Sequence, residues 1–198
     1  MLSVFKNQNE IGLDEAGRGC WWGPVYAGAV IWPLNLTHPF LTDSKKLTEK
    51  KRNTLYPWIK KNTIYGIGSA SSKEIDQIGI LPATILAMNR AITQIQNKID
   101  YKTPNLIIDG INWKNKDFNF PLDSIVKGDS KYYSIAAASV LAKVSRDNYT
   151  IDASRSDLYS YYQLEKHKGY GTKLHRELLT LYGPSDQHRF TFKPINIL

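Results

Sequence analysis

Two short apolar runs, Val25–Trp32 and Leu106-Ile107-Ile108, are rich in β-branched side chains and bounded by turn residues. Runs of this length suit strands buried on both faces better than helices. Glu10–Leu13, Thr63–Ser69 and Ser124–Val126 read as further strands. Helical patterns lie between and after them. Thr48–Asn62 is a basic helix that Pro57 is expected to kink or interrupt. Ser71 and Glu74 form a capping box, and Pro82 suits the first turn of a longer helix. Leu81, Ile85, Met88, Ile92 and Ile95 then recur at gaps of four and three, which makes one apolar face. The alanine-rich Ser134–Asp147 predicts a helix packed closely on the sheet. Thr172 caps a last helix that runs to Tyr182, with Gly183 and Pro184 as its stop. Strands at the start and again in mid-chain, with helices between and after, indicate an α/β layer architecture.

The 198 residues suit one domain and carry 26 Lys+Arg against 18 Asp+Glu, a net charge of +8. Such an excess suits an anionic partner, nucleic acid before a membrane surface. Cys20 is the single cysteine, which excludes a disulfide and any zinc site built on two thiolates. No apolar run approaches the ~20 residues of a membrane span, and Met1–Lys6 is too short and polar for a signal peptide. A cytoplasmic location is expected.

In a basic chain, acids at the ends of apolar strands are the informative ones. The first strand runs into Asp14-Glu15, which ends it, Asp109-Gly110 ends the most hydrophobic one, and Gly128-Asp129 precedes the alanine-rich helix. Ligands of open α/β sheets bind outside strand ends. Singly, each acid also reads as a turn, a cap or an exposed loop. Together, Asp14, Glu15, Asp109 and Asp129 would repel one another unless cations sat among them, and hard oxygen ligands favour Mg²⁺ or Mn²⁺. Acids within a basic surface are the arrangement of a metal-dependent phosphodiesterase.

The motifs around these acids resemble ribonuclease HII. They are Asp14-Glu15-Ala16-Gly17-Arg18-Gly19 with Gly23-Pro24, then Asp43-Ser44-Lys45-Lys46-Leu47, Ile108-Asp109-Gly110 and Lys127-Gly128-Asp129. Ile135–Asp147, His167–Thr172, His188-Arg189 and Phe192-Lys193-Pro194 follow in the family's order. The resemblance implies a ribonuclease H-like fold, a mixed β-sheet flanked by helices. It also implies a single catalytic domain over 1–198 whose C-terminal helical part begins at about residue 150. The implied activity is endonucleolytic cutting of the RNA strand of RNA–DNA hybrids, and incision 5′ to single ribonucleotides in duplex DNA. Asp14, Glu15, Asp109 and Asp129 become the catalytic set that binds two Mg²⁺ or Mn²⁺ ions. Gly17-Arg18-Gly19 and Tyr170 become the sensor of the ribonucleotide junction. Cys20-Trp21-Trp22 departs from the family, which commonly has proline directly after Gly-Arg-Gly.

Reading RNA requires contact with the 2′-hydroxyl; glycines at 17 and 19 would let the backbone come close to a sugar, although by itself a Gly-x-Gly reads first as a tight turn. Residues 45–61 hold seven basic residues and one acid. Within them Lys45 and Lys46 are the expected phosphate contacts. Ser139 and Lys143 either face the same groove or play buried structural roles. Trp21 and Trp22 are expected to bury against the strand that starts at Val25, with stacking on nucleotides as the alternative. His167, His175 and His188 read as hydrogen-bonding or phosphate-neutralising groups rather than ligands. Asp14 comes too early for a preceding substrate-binding domain, which argues against ribonuclease HIII. The C-terminus lacks a sliding-clamp tail, and a monomer is expected. Two other readings share some of these features: a different metal-dependent nuclease of this fold, and a non-catalytic nucleic-acid-binding module.

Overall fold

A computed structural model describes residues 2–5, 10–99, 103–111, 113 and 118–197. Its centre is a five-stranded mixed sheet of β1 (Glu10–Ala16), β2 (Val25–Ile31), β3 (Ile64–Ala70), β4 (Asn105–Asp109) and β5 (Leu122–Ile125), in the order β3-β2-β1-β4-β5. β2 runs antiparallel to β1 and β3, whereas β4 and β5 run parallel to β1. The parallel register sets Leu13 opposite Ile108, so β1 and β4 reach Asp14 and Asp109 at the same level.

Helices cover both faces, and small residues let them approach closely. α3 (Ile80–Gln96) lies across β3 and β2, where a Cβ on Gly66 or Gly68 would meet the Ala91 or Ala87 carbonyl at about 2 Å. Its stripe of Ile85, Met88, Ile92 and Ile95 is buried there with Ile11, Leu13, Leu106 and Ile108. α4 (Tyr133–Ser154) covers the opposite face, where Gly12 and Gly28 abut its backbone at Ser134 and Ala138. α1 (Glu49–Asn62) packs on α4 through Leu55 and Ile59. α2 (Ser72–Ile78) opens on the expected capping box of Ser71 and Glu74. α5 (Leu164–His167) and α6 (Lys173–Tyr182) complete the C-terminal part. Among the described residues, no helix is long and apolar enough to cross a membrane.

Four expectations change. Pro57 does not interrupt α1: it is exposed, so the carbonyl that loses its helical partner there stands on the water side. β1 continues through Asp14 and Glu15 to Ala16, because the ladder to Gly28, Ala27 and Tyr26 carries it on. β5 starts two residues before Ser124, where pairing with β4 joins Leu122 to Leu106. α4 runs seven residues past Asp147, since Arg146, Asp147 and Thr150 are buried by packing that the helical pattern alone does not show. The same continuous helix therefore crosses residue 150.

Trp22 is buried, but not against β2. It enters a separate cluster with Tyr162, Leu164, Leu178, Leu179 and Ile195, and its Nε1 donates to Ser185 Oγ at 3.2 Å. The loop after β1 thus belongs as much to the C-terminal part as to the sheet.

Candidate active site

Asp14, Asp109 and Asp129 converge although they come from three separate segments. Each offers one carboxylate oxygen, and these oxygens lie within 4.8 Å of one another. Strand register brings the first two together. The third is placed by a hydrogen bond: Asp109 Oδ1 accepts from the Gly128 N–H at 2.7 Å, which fixes the single 3₁₀ turn Gly128–Ser130. A Cβ on Gly128 would lie 2.5 Å from Ile135 Cδ1, so a larger residue would push this turn away from α4.

Glu15 stands beside this trio rather than in it. Successive strand residues point to opposite faces, so Asp14 faces α4 while Glu15 turns towards the α3 side. There its carboxylate accepts from Arg18 at 3.2 Å. Arg18 in turn lies 5.6 Å over the Trp113 ring.

The electrostatics are those of crowded, dry carboxylates. Burial pushes the Asp14 carboxyl well above its usual range, and the charges of Glu15 and Asp109 push it further. Burial also raises Glu15, partly offset by Arg18. Asp129 is raised to about 6, by burial first and then by Asp109 and Asp43. Burial works against the charged form of Lys45, but Asp14, Asp43, Asp129 and Asp109 outweigh it and raise its pKa. Three oxygen donors this close together form a donor set suited to a hard divalent cation.

A cleft of about 510 Å³ opens directly beside the acids. It is lined by Glu15, Gly17, Arg18, Gly19, Lys45, Lys143 and Tyr170, with Ser44, Ile80 and Phe192 completing the wall. The predicted substrate residues therefore gather here, with two exceptions. Ser139 is buried, and its hydroxyl donates to Ser44 Oγ at 2.6 Å and accepts from the Ser44 N–H at 3.2 Å. It shapes the turn at 44–46 instead of meeting solvent. Lys46 points away from the cleft lining to Ser130 Oγ at 2.9 Å. Lys143 is at the wall, paired to Asp147 at 2.8 Å and 5.3 Å over the Tyr170 ring.

The two glycines have different roles. Gly17 has φ +92°, and a Cβ there would fall 2.0 Å from Arg146 Nε. Gly19 is exposed, with nothing within 4 Å of a Cβ position. The first is required by the fold, whereas the second leaves room in the cleft.

Two buried arginines hold this loop, and sequence reasoning missed both. Arg146 donates to the carbonyls of Pro24, Lys168 and Trp22 at 3.2, 2.8 and 3.0 Å. Arg189 donates to those of Gly23 and Arg18, both at 2.9 Å. Asp43, which faces Asp129 across the site, was also missed. The available signal was their place inside the motifs quoted above, since the residue type alone suggests surface. Arg52, in the basic run, is tied to the Ser44 and Leu47 carbonyls. His167, His175 and His188 are buried under Tyr170, away from the carboxylates.

The family model described as Ribonuclease HII matches residues 11–195. The Ribonuclease HII of Porphyromonas gingivalis is 46% identical over 187 residues, covering 94% of this chain and 90% of that protein. The fold is similar to the crystal structure of ribonuclease H2 from Pyrococcus horikoshii OT3, with TM-score 0.72, 23% identity and 95% of each chain covered. It is also similar to Bst-RNase HIII, solved in complex with Mn²⁺, with TM-score 0.62, 16% identity and coverage of 94% of this chain and 68% of that one. On the extent of these matches, the chain belongs to the ribonuclease HII family.

Proposed function

We propose that the chain is an endonuclease that hydrolyses the RNA strand of RNA–DNA hybrids and incises 5′ to single ribonucleotides in duplex DNA. The observation that carries this reading is the Asp14, Asp109 and Asp129 trio, linked through Glu15 and Lys45 to a neighbouring cleft that Gly17–Gly19 and Tyr170 also line. Asp14, Asp109 and Asp129, with Glu15 alongside, would hold Mg²⁺ or Mn²⁺. Two such ions would supply an activated water and neutralise charge at the leaving oxygen.

The chain's own groups do the rest. Lys45 keeps its charge beside the acids and meets the phosphate that enters the cleft. The exposed backbone at Gly19 approaches the 2′-hydroxyl, which DNA lacks. The Tyr170 ring packs against the sugar, with Lys143 and Arg146 5.3 and 5.6 Å from its centroid. The exposed lysines of α1, Lys50, Lys51 and Lys61, extend a positive track for the duplex. The catalytic unit spans residues 1–198 as a single domain and acts as a cytoplasmic monomer.

The test is a DNA duplex that carries one ribonucleotide, incubated with the protein in Mg²⁺ or Mn²⁺. Cleavage 5′ to that ribonucleotide, abolished by Asp109→Asn, is the expected result. Binding without cleavage in both metals would overturn the proposal.

A further inference from the structure

The three buried histidines that the catalytic reading leaves unused have tautomers fixed by their partners. The Ser185 N–H donates to His188 Nδ1 at 2.8 Å, so the proton of a neutral His188 ring sits on Nε2. That Nε2 faces His175 Nε2 at 3.1 Å, and only one of the two nitrogens can carry a hydrogen. His175 Nε2 is therefore the acceptor, and its own proton sits on Nδ1, 3.0 Å from the Tyr170 carbonyl. His167 stacks on His175 with ring centroids 4.3 Å apart. It accepts the Gly169 N–H at Nδ1 and donates from Nε2 to the Tyr162 carbonyl. The donors thus run one way, from Ser185 through His188 and His175 to the backbone of Tyr170.

We propose that His188 and His175 form a neutral, one-directional hydrogen-bond relay that positions Tyr170 for ribonucleotide recognition. The proposal rests on the reading of Tyr170 as a substrate contact and adds two positioning residues to it. The Tyr170 backbone is held on both sides: its N–H donates to the His167 carbonyl at 2.9 Å, and its own carbonyl receives His175. Tyr170 also bridges to Cys20, so a shift in the relay would reach the Gly17–Gly19 turn. An added proton on His175 would set two N–H groups against each other across 3.1 Å. The surroundings oppose such a proton: burial lowers His175 to about 4 and His188 to about 3. The charged groups around the rings are Glu165 and Lys168 at His167, Arg176 across Trp21 from His175, Asp186 at His188, and the buried Arg146 and Arg189.

The native protein tests the relay directly through the ¹⁵N shifts of its histidine rings at pH 7. His175 is expected as the Nδ1–H tautomer, with His167 and His188 as Nε2–H. An Nε2–H or doubly protonated His175 would overturn the relay without any variant having to fold. The second arm compares cleavage at a single ribonucleotide with cleavage of a long hybrid. His188→Gln keeps a donor towards His175, whereas His188→Leu removes it. His188→Leu is expected to lower the single-ribonucleotide rate about tenfold relative to the hybrid rate, as a small misplacement of a contact can. His188→Gln is expected to recover most of that loss. Equal losses in both variants would overturn the positioning role. Undiminished preference in Tyr170→Ala would instead overturn the Tyr170 reading itself, and the proposal with it.

Discussion

Replacing Asp129 by asparagine should make the metal-free protein more stable while disabling its site. Asp129 is 5% exposed, so water screens its charge little. Its carboxyl is raised from 3.8 to about 6, so the folded protein holds that proton more tightly than the unfolded chain does. The resulting penalty is absent below pH 3.8, grows as pH rises, and is complete above about 6. Two pH units correspond to about 3 kcal/mol, and because the acids titrate together the relief from one substitution is closer to about 2 kcal/mol. For a chain of this size that is a rise in Tm of roughly 4–8 °C at pH 7.5. At pH 4.5 about one third of the effect should remain, since most of the native carboxyl is then protonated. The assay is thermal unfolding in chelator at both pH values, repeated with Mg²⁺ or Mn²⁺. Metal should raise the native Tm at pH 7.5 more than that of Asp129→Asn, which lacks one donor. An Asp129→Asn protein no more stable than the native one at pH 7.5, or a gap equal at both pH values, would refute the argument.

Three further outcomes follow from the loop and its supports. Gly17→Ala should cost about 2–4 kcal/mol, combining a strained positive φ with displacement of Arg146, whereas Gly19→Ala should unfold like the native protein and lose cleavage rate. Thermal unfolding and cleavage of both variants separate the two, and equal stabilities would contradict the geometry. Arg146→Met leaves three loop carbonyls without their buried donor and should lower stability by about 3 kcal/mol or more; a Tm within about 2 °C of native would refute this. Duplex affinity should fall with salt, and Lys45→Ala should reduce the slope of log K against log salt by about one unit, measured by titration at several salt concentrations.

Much of the site was legible because strand chemistry is local. An apolar run ending in Asp109-Gly110 announces a strand end, and the acid at its tip stands out against the +8 background. The meeting of Asp14 with Asp109 needs the parallel pairing of β1 with β4, which no local pattern contains. The division of labour between Asp14 and Glu15 follows from strand alternation, but only once β1 is known to continue through both residues. Arg146 and Arg189 were illegible for another reason. A guanidinium is buried when backbone carbonyls surround it, and all of those carbonyls but the Lys168 one come from residues more than a hundred positions away. Ser139 likewise reads equally as a groove residue or a buried structural one until Ser44, ninety-five positions earlier, is seen to take its hydroxyl.

The loop after β1 is stitched to the far end of the chain through Cys20–Tyr170 and Trp22–His188. This divides the assembly of the site in time. The three clustered acids lie within the first 129 residues, whereas Tyr170 of the cleft wall and the Lys168 and Arg189 ties of the loop come from the last segment. During synthesis, the groups that would cut are therefore made before the groups that would choose. On the proposed reading, a nascent chain would carry its acids before residues 167–189 tie down the Gly17–Gly19 turn, and selectivity would arrive only with that last segment.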